Sequence, residues 1–311
     1  MFMYMIYFYY RNYKSVGEKM KLNSKNISFI KYFSALLLFG TNGIVASLID
    51  LESNQIVLYR TFLGSLILFA IILITRNKFS FFRHKKDFFF LCLSGISMGA
   101  SWLFLYEGYN QIGVGTSSLL YYSGPVIVMI LSPFLFKEKF TIFKIVGFFS
   151  VVSGIFLVNG PFTTDNFNLF GMICGLMSAI TYAFMVIFNK KAEKICGLEN
   201  SLLQLFISFL TVLIFAVAKQ DFTINIPMQS IFPLLFLGIV NTGLGCYLYF
   251  SSIGNLPVQT VAICGYIEPL SAVIFSVIFL QETMFSLQII GTVLIIGGAV
   301  FAECFKYPSK K

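Results

Sequence analysis

The sequence predicts an all-α integral membrane protein of ten transmembrane helices, arranged as two inverted five-helix repeats. Three observations predict this: a succession of apolar runs, positive charge confined to alternate gaps between them, and a second half that repeats landmarks of the first. Most runs are near twenty residues long, enough for a helix to cross a bilayer's hydrocarbon core. Composition agrees, with 58% hydrophobic and 11% charged residues, where water-soluble domains carry roughly 25% charged.

In order, the runs fall at 29–49, 54–75, 88–108, 112–136, 142–160, 169–189, 200–218, 230–251, 257–280 and 284–304. Gly, Pro and Asn mark several breaks, as in Asn159-Gly160-Pro161 and Gly254-Asn255-Leu256-Pro257, where turns need them. Basic residues number six from the N-terminus through Lys31, five after the second run, three after the fourth, three after the sixth and three in the tail. Twenty of the 22 Lys and Arg therefore share one side, leaving Lys219 opposite and Arg60 inside a run. Eight, nine or eleven crossings would scatter them. The positive-inside rule then places both termini in the cytoplasm and the protein in the cytoplasmic membrane. The expected layout is a cytoplasmic segment 1–28, repeats over 29–160 and 169–304, and a tail 305–311.

The bulk numbers exclude several function classes. The longest polar stretch, Arg11 to Ser28, is too short for a soluble catalytic domain. A net charge of +9 is accounted for by topology-setting loops, so no nucleic-acid partner is expected. The six cysteines show neither CxxC nor paired spacing, and His84 lies in the basic loop Arg83-His84-Lys85-Lys86, so no metal or cofactor is expected. The first ten residues, MFMYMIYFYY, are too short to span, and their positive charges follow rather than precede them, unlike a signal peptide. A start at Met20 or an interfacial anchor accounts for them.

Shifting the chain by 144 residues lays the end of its first half on the end of its second without a gap. Tyr122 meets Tyr266, Pro125 meets Pro269, Glu138 meets Glu282, Gly147 meets Gly291 and Gly154 meets Gly298. Five crossings per repeat is an odd number, so the second copy enters the membrane from the opposite face. The loops agree: Lys137-Glu138-Lys139 becomes Gln281-Glu282-Thr283, keeping the acid and losing both lysines. Inverted repeats of this kind characterise secondary transporters.

These elements resemble the drug/metabolite transporter superfamily, specifically the EamA branch of ten-helix carriers. The likeness rests on the two elbows, Phe134-Leu135-Phe136-Lys137-Glu138-Lys139-Phe140 and Phe279-Leu280-Gln281-Glu282-Thr283-Met284, each with its following glycines. Pro125, Pro269, Phe39-Gly40-Thr41-Asn42 and Tyr59-Arg60 add to it, and the likeness covers nearly the whole chain from residue 30. Many EamA members have Trp-Gly where this chain has Phe39-Gly40. The resemblance implies a basket-like 5+5 bundle with a central cavity that moves small metabolites, often amino acids. Nucleotide-sugar and triose-phosphate carriers share the superfamily.

Glu268 stands about ten residues into the ninth run, directly before Pro269. A carboxylate at such depth costs several kcal/mol unless it is protonated, paired or facing water. That suits a proton-coupling group, or else an acid bonded to backbone freed by Pro269. Arg60 lies six residues into the second run, roughly 9 Å along a helix. Its fork can clamp a substrate carboxylate, pair with Glu107 or snorkel outward. Asn42, Asn241, Trp102, Tyr106, Tyr121, Tyr122, Tyr247 and Tyr266 offer amides, hydroxyls and stacking faces to an uncharged or zwitterionic metabolite. The same residues can instead pack or glue helices together. Glu138 and Glu282 are expected to serve helix N-termini. Gly147, Gly154, Gly291 and Gly298 recur at seven-residue spacing, as an internal seam or a homodimer face. The expected partners are a small-molecule substrate and the lipid bilayer. An enzyme would need a motif such as HExxH or GxSxG, a channel a filter or charge ring, and an ATP-driven pump a Walker A loop; the chain has none of these motifs.

Overall fold

The computed structural model describes residues 24–76, 79–112, 114–138, 141–159, 168–219, 226–280 and 286–304. Every regular element among them is helical. In order they are α1 (Ser24–Gly40), α2 (Asn42–Ala46), α3 (Ser53–Thr75), α4 (Lys85–Ile112), α5 (Val114–Tyr121), α6 (Gly124–Phe136), α7 (Ile142–Asn159) and α8 (Leu169–Lys191). Then come α9 (Gly197–Lys219), α10 (Met228–Phe236), a π-helical segment (Leu237–Leu244), α11 (Gly245–Ile253), α12 (Val258–Gly265), α13 (Ile267–Leu280) and α14 (Ser286–Cys304).

Among the described residues, six helical stretches are long and apolar enough to cross a membrane, namely Asn26–Ala46, Ser53–Thr75, Lys85–Ile112, Leu169–Lys191, Gly197–Lys219 and Met228–Ile253. Shorter apolar helices lie at Gly124–Phe136, Ile142–Gly154 and Ile289–Ala302. Large apolar side chains such as Ile74, Phe134, Phe149, Ile214 and Phe232 stand exposed on the outside. Water would not tolerate that surface, whereas acyl chains match it. Inside, small polar residues including Ser94, Ser101, Ser178 and Ser208 are buried where helices approach each other.

The expected crossings at 112–136 and 257–280 are not unbroken helices. The first divides into α5 and α6 at Tyr122–Ser123, the second into α12 and α13 at Tyr266. Pro125 and Pro269 explain the breaks: each lies in the first turn of the second piece, where a missing N–H leaves no bond unmade. The break points meet across the bundle, with the Tyr266 hydroxyl donating to the Tyr122 carbonyl at 2.9 Å.

α7 packs along α14, α4 along α8, and α3 along both α9 and the π segment. α1 contacts α11 and α13, while α8 contacts α4 and α6. Glycines set the α7–α14 distance. A Cβ on Gly147 would stand 2.5 Å from the Gly298 carbonyl oxygen, and one on Gly154 would stand 2.6 Å from that of Gly291. The glycine-bearing faces therefore meet inside the chain, and a homodimer could not use them without opening this seam.

Polar contacts tie the connections into two groups. At one end Glu199 accepts from the backbone N–H groups of Ser80 and Phe81, Asp87 accepts from Lys194 N–H, and Glu138, Lys144, Lys190 and Ser28 all reach residues 253–259. At the other, the Asp50 N–H donates to Ser230, Asn168 donates to Gln111, and Lys219 pairs with Glu107 at 3.8 Å. The Arg60–Glu107 pairing open to the sequence is thus not made, because Lys219 shares Glu107's end of the bundle. Glu138 does bind a helix N-terminus, but that of α12 rather than of the following α7. Glu282, Met1 and Met20 lie outside the described residues.

Candidate functional site

Arg60, on α3, is only 3% exposed and is held on two sides. Its Nε donates to Thr242 Oγ1 at 3.0 Å, and its Cζ stands 4.6 Å from the centre of the Trp102 ring on α4. The π segment explains the first contact. Its wider turn lets the Thr242 hydroxyl donate in turn to the Leu237 carbonyl, five residues back, at 2.8 Å. Such π turns recur at functional sites. With Nε engaged and one face stacked, the terminal nitrogens form the fork that remains, and they make no hydrogen bond to a described residue.

Glu268 sits in the first turn of α13, at the positive end of a half-helix. Its carboxylate makes no hydrogen bond or ion pair with a described residue, and the residue is only half-buried. Backbone freed by Pro269 does not bind it, so the purely structural role left open by the sequence finds no contact here. Its charge is felt at Tyr109, Tyr121, Tyr122 and Tyr182, and it feels Arg60 without touching it. Trp102, Tyr121, Tyr122 and Tyr182 likewise keep partial accessibility. The two charges thus share one interior region among tyrosines.

Tyrosines wall this region. Tyr121 meets Tyr182 edge-on with centroids 5.3 Å apart, and the Tyr182 and Tyr249 hydroxyls are 3.3 Å apart. Tyr106 and Tyr109 lie at 5.3 Å, and Ser118 donates to the Tyr109 hydroxyl. The amides converge as well: Asn241 Nδ2 donates to Asn42 Oδ1 and Thr41 Oγ1, each at 2.9 Å, fixing the α1–α2 break against the π segment. Asn241 is fully buried, and its Oδ1 has no hydrogen-bond partner among the described residues.

Two further tyrosines make other contacts. Tyr266 is 1% exposed and uses its hydroxyl to bridge the helix breaks. Tyr247 lines a separate apolar groove of about 450 Å³ with Ile67, Ile71, Val240 and Leu244, and Lys31 lies over its ring. Thr242, Tyr109, Tyr182 and Tyr249 were not singled out by the sequence. The Gly238…Gly243-Leu244-Gly245 spacing around Thr242 was the available sign of an irregular helix. Among the described residues, no group of three or more His, Cys, Asp or Glu converges to hold a metal.

Residues 26–160 and residues 169–303 each match the EamA-like transporter family. The chain belongs to that family. Among its relatives, the uncharacterized transporter YoaV of Bacillus subtilis is 26% identical over 262 residues, covering 81% of this chain and 87% of YoaV. The uncharacterized transporter YxxF of the same organism is 23% identical over 283 residues, covering 88% of each chain. A protein of known crystal structure shares the fold with a TM-score of 0.77 at 16% identity, covering 92% of this chain and 99% of its own. The chain is thus a multi-pass membrane protein of a transporter family, and its two family matches lie on either side of residues 161–168.

Proposed function

We propose that this EamA protein is a secondary carrier for small zwitterionic or neutral metabolites, amino acids foremost, working by alternating access. The observation that carries the reading is the pair of opposite charges, Arg60 and Glu268, within electrostatic reach of each other in one tyrosine-rich interior region without pairing, and we read that region as the substrate cleft. Unpaired charges in such a place are costly unless function retains them. A ligand with both a carboxylate and an amine satisfies both at once. The Arg60 fork receives the carboxylate, Glu268 receives the ammonium, and aromatic faces hold the remainder. Glu268 serves as the proton-coupling group when the amine is absent. The Asn42–Asn241 pair shapes the cleft through its contact with the π segment.

The architecture we propose is ten crossings in two inverted repeats, with both termini in the cytoplasm. Four features support it. The helix breaks at Tyr122 and Tyr266 are 144 residues apart, and so are Ser150 and Leu294, joined by a hydrogen bond across α7 and α14. Gly147 with Gly298 and Gly154 with Gly291 form contacts that exchange under the same shift. The α1–α11 and α1–α13 packings correspond to α8–α4 and α8–α6. The polar contacts described above join connections of the same expected side.

Carriers of sugar nucleotides or organophosphates need several cations in the cleft, since each buried phosphate charge requires a partner. The test is a thermal-shift screen of purified protein against amino acids, purine metabolites, sugar nucleotides and phosphates. Stabilisation by amino acids or similar metabolites is expected, and stabilisation by sugar nucleotides or phosphates alone would overturn the reading. In proteoliposomes, Glu268→Gln should change the rate or the pH dependence of transport; if both stay as in the parent, Glu268 has no coupling role.

A further inference from the structure

The connection between α11 and α12, residues 254–257, joins the two walls of the candidate site. The chain before it carries Asn241 and Thr242, and the chain after it leads into α13 and Glu268. Side chains from four other parts of the chain grip this hairpin. Lys190, at the end of α8, donates through Nζ to the carbonyls of Ile253, Gly254 and Leu256 at 2.9, 3.0 and 2.6 Å. Glu138, after α6, accepts from the N–H groups of Val258 and Gln259 at 2.7 and 3.1 Å. Lys144, on α7, donates to Gln259 Oε1 at 2.7 Å. From α1, Ser28 accepts from Asn255 Nδ2 at 3.1 Å. A cation thus sits on the C-terminal carbonyls of α11 and an anion on the first N–H groups of α12, the arrangement that helix dipoles favour.

A different kind of contact binds α4, α8 and α9. Asn189 donates to Asn200 and Gln204, Gln204 donates to Ser94, and Ser94 donates to the Met185 carbonyl. All four side chains are buried, so separating these helices would strand polar groups without water. The hairpin differs because its tip, Gly254 and Asn255, is exposed and the charged latch side chains Lys190 and Glu138 are themselves partly accessible, so water reaches both charges as the bonds break. The weak plane at this end therefore runs between the hairpin and the rigid unit of α4, α8 and α9.

We propose that the 254–257 hairpin is the gate at the lysine-rich end of the bundle, held shut by Lys190 and Glu138. The proposal deepens the carrier reading and rests on it for the claim that the gate opens during transport. In the proposed orientation this is the cytoplasmic gate, and the structure has it closed.

Cys246 reports on it. The residue is buried on α11 about two turns inside the hairpin, within electrostatic reach of Arg60 and Glu268. In a chain with Cys92, Cys174, Cys196, Cys264 and Cys304 replaced by Ser, labelling of Cys246 by a membrane-impermeant maleimide is followed in inside-out vesicles. Lys190→Met and Glu138→Gln should each speed labelling at least about tenfold, the scale of losing charge-assisted hydrogen bonds. Unchanged labelling in both variants would overturn the gate. Lys219→Met, which removes the ion pair at the opposite end, should leave labelling as in the parent; if it too accelerates labelling, the effect is general loosening and the gate is wrong. Faster labelling in the two latch variants of a protein that binds nothing in the screen would keep the gate and remove the carrier reading, so the two failures are distinguishable.

Discussion

Arg60 shows how much of a residue's chemistry lies in what its neighbours have already taken. Trp102 fixes the plane of the guanidinium and Thr242 takes its Nε, which leaves one planar edge for a ligand. Lysine keeps the charge but has no planar fork, so it cannot bond Thr242 and present two parallel donors together. Arg60→Lys should therefore weaken binding of a carboxylate ligand about tenfold or more by calorimetry, while ligands lacking a carboxylate lose much less. Equal losses for both ligand types would mean that Arg60 shapes the cleft rather than reading the carboxylate. Arg60 and Glu268 were visible in the sequence because charge inside an apolar run is rare. Their neighbours were not: Thr and Tyr are common in such runs, and spacing alone does not say which side of the bundle a residue faces. For the same reason the sequence did not show that Tyr247 lines an apolar groove or that Glu107 pairs with Lys219.

At the scale of elements, the α7–α14 seam tests packing directly. Gly147→Leu would force a side chain against the Gly298 carbonyl, which as backbone cannot swing aside. Overpacking of this kind costs about 1–3 kcal/mol, so the melting temperature in detergent should fall by several degrees. Gly297→Ala is the matched control, since a Cβ there meets nothing within 4 Å, and it should be neutral or slightly stabilising. A drop as large for Gly297→Ala would show that glycine itself, not the close approach, matters in α14. The sequence disclosed these glycines and the two prolines, but not the helix breaks beside them. A proline in an apolar run fits a kinked continuous helix as well as the first turn of a new one. Choosing between them needs the long-range contact of Tyr266 with Tyr122, which periodicity does not encode.

For the whole molecule, the proposed orientation rests on where the lysines fall. Glu138, Lys144, Lys190 and Ser28 converge on one hairpin, and the Lys219–Glu107 pair closes the opposite end. A reporter fused after Lys311 should be active on the cytoplasmic side, and one inserted within residues 161–167 should read as external. The opposite result at either site would reverse or break the ten-crossing topology. Long apolar runs were legible because the bilayer imposes a minimum length on each, and six of them stand as helices of crossing length among the described residues. Interior geometry was less legible, since inside a membrane protein small polar residues serve packing and chemistry alike.

The glycine seam carries one more consequence. Gly147 meets Gly298 and Gly154 meets Gly291, so each stretch of α7 lies against the stretch of α14 that answers to its own neighbour in the other half. Identical subunits related by a two-fold axis meet in this reciprocal way. The chain therefore holds within itself the kind of joint that two separate polypeptides make. The linker between the halves sets their ratio at one to one and keeps them in the same bilayer, while the fit between them belongs to the helices.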